Sequence, residues 1–194
     1  MAQEAALTDV RGLYRGALDG FGARVHAVGD EQWDLPSPCR DWNVRELVAH
    51  VVTENLWAVP LLAGATIQQV GDRFDGDVLG GAPQRAWDDA AAAAEAAVRA
   101  VNSLDDIVHL SFGDVPAREY LFQVFADHLV HGWDLARATA GDERLDDDLV
   151  AACAQWFAAR EEAYRAAGAI GPALPVPDGT DSQTALLARF GRAA

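Results

Sequence analysis

The sequence predicts an all-α fold: an antiparallel four-helix bundle with a short hairpin or extended connector and a proline-rich C-terminal tail. Three observations carry this. Alanine is abundant and β-branched runs are few, which favours helices over strands. Apolar residues recur at helical spacing across several long stretches. Glycine and proline sit mostly between those stretches. Of the 194 residues, 51% are apolar and 23% charged, which suits one globular domain with a substantial core.

The first helix is expected over residues 5–28, with Leu7, Leu13, Ala17, Phe21 and Val25 as its buried stripe. Thr8 or Asp9 caps its start. His26, near its end, is expected to meet solvent or the helix dipole. From Trp33 to Trp42, Pro36 and Pro38 forbid a helix and favour an extended loop. Asn43 followed by Glu46 reads as a capping box, so helix two starts at Val44 and runs to Val59, before Pro60. It carries His50 among Leu47, Val51, Glu54 and Trp57.

Residues 71–81, rich in glycine and aspartate, read as a mobile loop. A third helix spans Pro83 to Asn102. Leu104 to Val115 alternates apolar and polar residues and turns at Gly113-Asp114, the pattern of a short hairpin or extended connector. Pro116 suits the first turn of a fourth helix that runs to Thr139 and stops at Ala140-Gly141-Asp142. A fifth helix is expected from Asp146 to Ala167, with Leu149, Cys153, Trp156 and Phe157 on its apolar face. Gly168 to Gly179 holds prolines and cannot be helical. A last short helix covers Thr184 to Phe190. Residues 1–168 are thus expected to form the bundle, and 169–194 an extension packed on it.

Composition narrows the function classes. The formal net charge is −15, from 30 acidic and 15 basic residues. Such a surface repels nucleic acid and anionic lipid, so neither is an expected partner. The bland reading, a solvated acidic surface, carries most of the weight. Cys39 and Cys153 form no CxxC pair and no disulfide framework, which fits a reducing cytoplasm. Met1-Ala2-Gln3-Glu4 lacks the basic start and apolar core of a signal peptide. No apolar run reaches the roughly 18 residues of a membrane span. A homodimer stays open.

The chemistry concentrates in Asp127-His128-Leu129-Val130-His131-Gly132-Trp133-Asp134. On a helix, Asp127 and His131 are one turn apart on one face, about 6 Å between Cβ atoms. A carboxylate and an imidazole so placed can share a metal ion. His50 on helix two supplies a third ligand if the two helices face each other. His128 and His131 form a competing i, i+3 pair, so His50, His128 and His131 are a second set; helical angles favour Asp127. Glu54, one turn after His50, is a further ligand or an acceptor behind one, and Asp134 can orient His131. Against all this, a lone histidine on a helix is more often a satisfied core or surface residue. Trp42, Trp57, Trp87 and Trp133 are more often core anchors than pocket walls, with Trp57 and Trp133 the pocket candidates.

Pro36-Ser37-Pro38-Cys39-Arg40-Asp41-Trp42-Asn43-Val44-Arg45-Glu46-Leu47-Val48-Ala49-His50 and Asp127 to Arg137 resemble the mycothiol-dependent maleylpyruvate isomerase-like family, an actinobacterial branch of the DinB/YfiT-like helical bundles. Pro175-Val176-Pro177-Asp178 and Leu186-Leu187-Ala188-Arg189-Phe190-Gly191-Arg192 resemble its short-tailed subgroup. The resemblance implies that His50, Asp127 and His131 bind a divalent metal, usually zinc, with nickel or another ion as the alternative. The family usually carries glutamate where this chain has Asp127, one methylene shorter, so the metal must sit closer or a water must bridge. The full isomerase has a second, substrate-binding C-terminal domain, and the chain after His131 is short for one.

The implied activity is that of a metal-dependent isomerase or S-transferase. It uses mycothiol as thiol cosubstrate and a small electrophile as substrate. In it the metal lowers the pKa of the thiol, the sulfur adds to the electrophile, and His128, Glu54 or Asp134 moves protons or orients ligands. Cys39 is a weak nucleophile candidate and Cys153 a core residue. The alternatives are a metal- or ligand-binding regulatory module without turnover, and a plain structural bundle whose histidines are satisfied by carboxylates.

Overall fold

Four long helices close a ring in the computed structural model, which describes residues 9–194. Helix α1 is Val10–Ala27, α2 is Val44–Leu62, α4 is Pro83–Ala100 and α5 is Ala117–Thr139. Helix α1 packs along α5, α5 along α2, α2 along α4, and α4 back on α1. The remaining elements are a 3₁₀ turn Asp30–Gln32, the short α3 Ile67–Val70, the strands β1 Ile107–Leu110 and β2 Gly113–Pro116, and the helices α6 Asp147–Ala158, α7 Glu161–Ala166 and α8 Ser182–Arg189. The described residues are thus mostly helical, with one two-stranded antiparallel sheet. Among them, no helix is long and apolar enough to cross a membrane.

Local sequence explains most boundaries. Asp9 caps α1 by accepting from the Gly12 backbone N–H; Leu7 and Thr8 lie outside the described residues. Asn43 and Glu46 form the reciprocal capping box that starts α2. Pro60 does not stop α2, which runs on to Leu62. Its missing N–H forfeits one bond, to the Leu56 carbonyl, and the helix ends two residues later. The hairpin turns at Ser111-Phe112 rather than Gly113-Asp114, since Gly113 pairs with Leu110. The expected fifth helix is two helices. The chain leaves helical geometry at Arg160, whose guanidinium forks onto Glu119 of α5 at 2.6 Å from both Nε and Nη2. His26 is exposed, with Nε2 2.9 Å from Asp88.

The core fills the ring. Tyr14, Phe21, Leu47, Leu121, Phe125 and Trp133 are almost wholly buried. Gly22 lets α1 approach α4, because a Cβ there would stand 2.8 Å from Trp87 Nε1. Cys153 is fully buried on α6, and burial pushes its thiol up to about 12. The C-terminal stretch lies against α6: Leu186 and Leu187 are buried, and Phe190 stacks on Phe157 with ring centroids 4.1 Å apart.

Candidate metal centre

Facing turns of α2 and α5 bring His50, Asp127 and His131 together, with one donor atom from each lying within 4.8 Å of the others. The two imidazole centroids are 5.1 Å apart. His50 Nε2 is 3.4 Å from Asp127 Oδ2, and His131 Nε2 is 3.2 Å from Asp127 Oδ1. Tetrahedral zinc with bonds near 2.0–2.1 Å has ligand-to-ligand edges of about 3.3 Å, so these spacings suit one ion. Asp127 Oδ2 is a buried atom with no hydrogen-bond partner, an acceptor that a cation would satisfy. The His50 and Asp127 side chains keep 29% and 31% of their accessible surface, whereas His131 keeps 10%. The cluster is therefore reachable from outside on the His50 and Asp127 side.

Charge within the cluster is strongly coupled. Burial pushes the Asp127 carboxyl up, but the His131 and His50 imidazoles outweigh it and hold the group well below the usual carboxylate range. Burial pushes His131 down, yet Asp127, Asp134 and Cys39 together raise it well above an ordinary histidine. Glu54, one turn after His50, is held above the usual carboxylate range by burial and by the Asp127 charge, against the pull of His50 and His131. These carboxylates favour the protonated form of His131, and a metal at Nε2 competes with that proton.

His131 is held from behind. Its Nδ1 lies 2.9 Å from Asp134 Oδ2, so Nε2 is the nitrogen turned to Asp127. Asp134 is completely buried and receives both prongs of Arg192, Nε to Oδ1 at 3.1 Å and Nη2 to Oδ2 at 2.8 Å. Burial pushes Asp134 up, and the hydrogen bonds from His131 and Arg192 bring it below its ordinary value. Cys39 Sγ joins the same group, 3.2 Å from Asp134 Oδ2, 3.6 Å from His131 Nδ1 and 3.4 Å from Arg192 Nη2.

The loop before α2 delivers Cys39 and Trp42. Ser37 N–H bonds to Trp42 O, Trp42 N–H bonds to Cys39 O, and Pro36 bridges Asn43. Asp41 closes the turn with φ +68, a left-handed conformation that aspartate tolerates better than most residues. Trp42 then lies over His50 at 4.8 Å and near His131 at 6.1 Å.

The other predicted residues go elsewhere. His128 is fully buried on a different face of α5, among Tyr14, Phe21 and Trp87, with Nδ1 2.6 Å from Val124 O. It belongs to no three-residue cluster of metal-ligating groups among the described residues, because its ring is turned into the core. Burial pushes it below an ordinary histidine. Trp133 is buried with the Arg137 guanidinium 5.3 Å over its ring, and Trp57 meets Phe74. The tryptophan at the cluster is Trp42. Sequence reading did not place Cys39 or Arg192 beside the cluster, and of the four tryptophans it weighed as pocket walls it favoured Trp57 and Trp133 over Trp42. For Trp42 the signal was its place one residue before the Asn43 cap; for Arg192 there was none.

Residues 14–136 match the family described as the mycothiol maleylpyruvate isomerase N-terminal domain. Two uncharacterized proteins, from two strains of Mycobacterium tuberculosis, are each 33% identical over 133 residues, 69% of this chain and 69% of each relative. The crystal structure of the mycothiol-dependent maleylpyruvate isomerase superposes with a TM-score of 0.60 at 16% identity, over 75% of this chain and 67% of that one. At that identity the likeness is one of fold.

Proposed function

The chain belongs to the mycothiol maleylpyruvate isomerase N-terminal domain family, and on that premise we propose that it is a metal- and thiol-dependent isomerase or S-transferase for a small electrophile. The observation that carries this is the convergence of His50, Asp127 and His131, with Asp127 Oδ2 buried and unpartnered. In this reading those three residues hold a divalent ion, zinc first and nickel as the alternative. The bound ion supplies Lewis acidity that lowers the pKa of a coordinated low-molecular-weight thiol, with mycothiol the leading thiol. The ring of four long helices is read as the antiparallel DinB/YfiT-like bundle, with residues 169–194 as its extension. The protein is read as cytoplasmic, and a homodimer stays open.

The chain's own residues do the rest. His131 offers Nε2 because Nδ1 is engaged by Asp134. Trp42 walls the His50 side of the cluster. Glu54, one turn after His50 on α2 and held above the usual carboxylate range by burial and the Asp127 charge, is the acid we assign to pass a proton to a developing carbanion. For an isomerisation, a thiolate sulfur adds to one carbon of a cis double bond while Glu54 protonates the other, the resulting single bond rotates, and Glu54 takes a proton back as the thiolate leaves. For S-transfer, the sulfur displaces a halide or opens an epoxide, and Glu54 protonates the oxygen in the second case. No protein cysteine forms a bond in either route.

Trp42, its ring tilted against His50 with centroids 4.8 Å apart, narrows access and favours a second reading, a metal- or ligand-binding module without turnover. Zinc-loaded protein incubated with mycothiol and panels of cis-alkenes, epoxides and halides separates the two. The first reading expects electrophile-dependent loss of the alkene isomer or of free thiol, abolished in Glu54→Gln or His50→Ala. No turnover across the panels with zinc bound would leave the binding module.

A further inference from the structure

The stretch that closes on His131 from behind comes from the opposite end of the chain. Helix α8 is anchored by Leu186, Leu187 and Phe190 against α6. The chain then turns sharply: Gly191 takes φ +79, its N–H bonds to Ala188 O, and the Arg192 N–H reaches back to Leu187 O at 2.9 Å. This glycine-terminated cap aims residue 192 inward. A Cβ at 191 would stand 3.3 Å from Pro172 O and would be strained at that φ, so glycine suits the position. Arg192 keeps only 18% of its side-chain surface and forks onto a fully buried carboxylate, the geometry that restrains both partners most.

We infer that Arg192 is a positioning residue for the metal centre: it locks Asp134, Asp134 locks the His131 ring through Nδ1, and the C-terminal tail is thereby part of the site. The inference rests on the reading of His50, Asp127 and His131 as metal ligands. The links are measured: 2.8 and 3.1 Å from guanidinium to carboxylate, and 2.9 Å from carboxylate to imidazole. A carboxylate behind a ligating histidine fixes its tautomer and ring orientation and adds to its basicity. Asp134 is fully buried, and the Arg192 guanidinium supplies positive charge that offsets the cost of burying it. Cys39, Asp134 and His131 also bring three donors within 4.8 Å. They do not need an ion, because the Arg192 guanidinium already supplies the positive charge among them. Arg192 lies outside residues 14–136, the part that matches the N-terminal domain family.

The test is zinc affinity of the full chain, measured by competition with a chromophoric chelator, together with the visible spectrum of the cobalt-substituted protein. Partners behind a ligand typically change metal affinity about 10–100-fold. Arg192→Gln is expected to bind zinc that much more weakly and to shift or broaden the cobalt bands. Arg192→Lys keeps the charge without the fork and should recover part of the loss, which a merely structural tail would not distinguish in the cobalt spectrum. Asp134→Asn breaks the same link from the other end and decides the matter on the same readings if Arg192→Gln does not fold. Wild-type affinity and spectrum in folded Arg192→Gln, or in Asp134→Asn, would overturn the inference while leaving the metal reading intact. A wild-type protein that takes up no stoichiometric zinc would overturn the metal reading and this inference with it.

Discussion

His128 and His131 sit three residues apart on one helix, yet the fold uses them in opposite ways. His131 faces α2, where two carboxylates, a thiol and a second imidazole surround it, and both ring nitrogens have acidic partners. His128 faces aromatic rings and bonds only to the Val124 carbonyl of its own helix, leaving Nε2 without a partner. Burial acts on both and would push both toward the neutral form. It wins at His128, and the carboxylates win at His131. Residue type alone therefore does not make a ligand: His131 has Asp127 and Asp134 one turn away on its own helix, with His50 and Cys39 facing it, and His128 has only aromatic rings and a backbone carbonyl.

The largest difference between the two should appear in metal content. His131→Ala is expected to abolish stoichiometric zinc, and His128→Ala to retain it, as read by elemental analysis of protein purified without added metal. Zinc retained in His131→Ala, or lost in folded His128→Ala, would erase the contrast. Stability should separate the two variants far less than metal content does. His128→Ala leaves a cavity under Tyr14, Phe21 and Trp87 and should cost about 3 kcal/mol in denaturant unfolding. His131→Ala leaves Asp127 and Asp134 without their shared imidazole partner and should cost a similar amount in the metal-free protein. The smallest effect concerns protons. His131 is raised above its ordinary value, so near neutral pH zinc must displace a proton from it, whereas Asp127 is held low and has none to lose. Zinc affinity should therefore rise with pH across the neutral range, with about one proton released per zinc in a weakly buffered titration. His128 is already neutral there, and replacing it should leave that count unchanged.

What could be read beforehand follows from the range of the interactions concerned. Periodicity and caps are local, so the four long helices, the Asn43–Glu46 box and the hairpin were legible. The spacing of Asp127 and His131 was equally local. That His50 stands opposite them depends on how α2 and α5 pack, and the family resemblance favoured it before any coordinates did. The misplacements were local competitions decided by tertiary contact. Arg160 breaks the fifth helix while forking onto Glu119, and α2 runs two residues past Pro60 at the loss of one backbone bond. Trp57 and Trp133 were offered as pocket walls on size alone, whereas the loop turn at Asp41 brings Trp42 to the cluster. Arg192 reaches Asp134 across 58 positions of chain. No pattern in the sequence marks that contact, since it exists only once α8 has docked on α6.

The central claim is that one cation is shared by His50, Asp127 and His131. Anomalous scattering at the zinc edge from crystals of the zinc-loaded protein tests it most directly. The account predicts a single strong peak about 2.0–2.2 Å from both Nε2 atoms and a carboxylate oxygen of Asp127. A peak lying instead among Cys39, Asp134 and His131 Nδ1, or zinc-loaded crystals with no peak near residue 131, would contradict it.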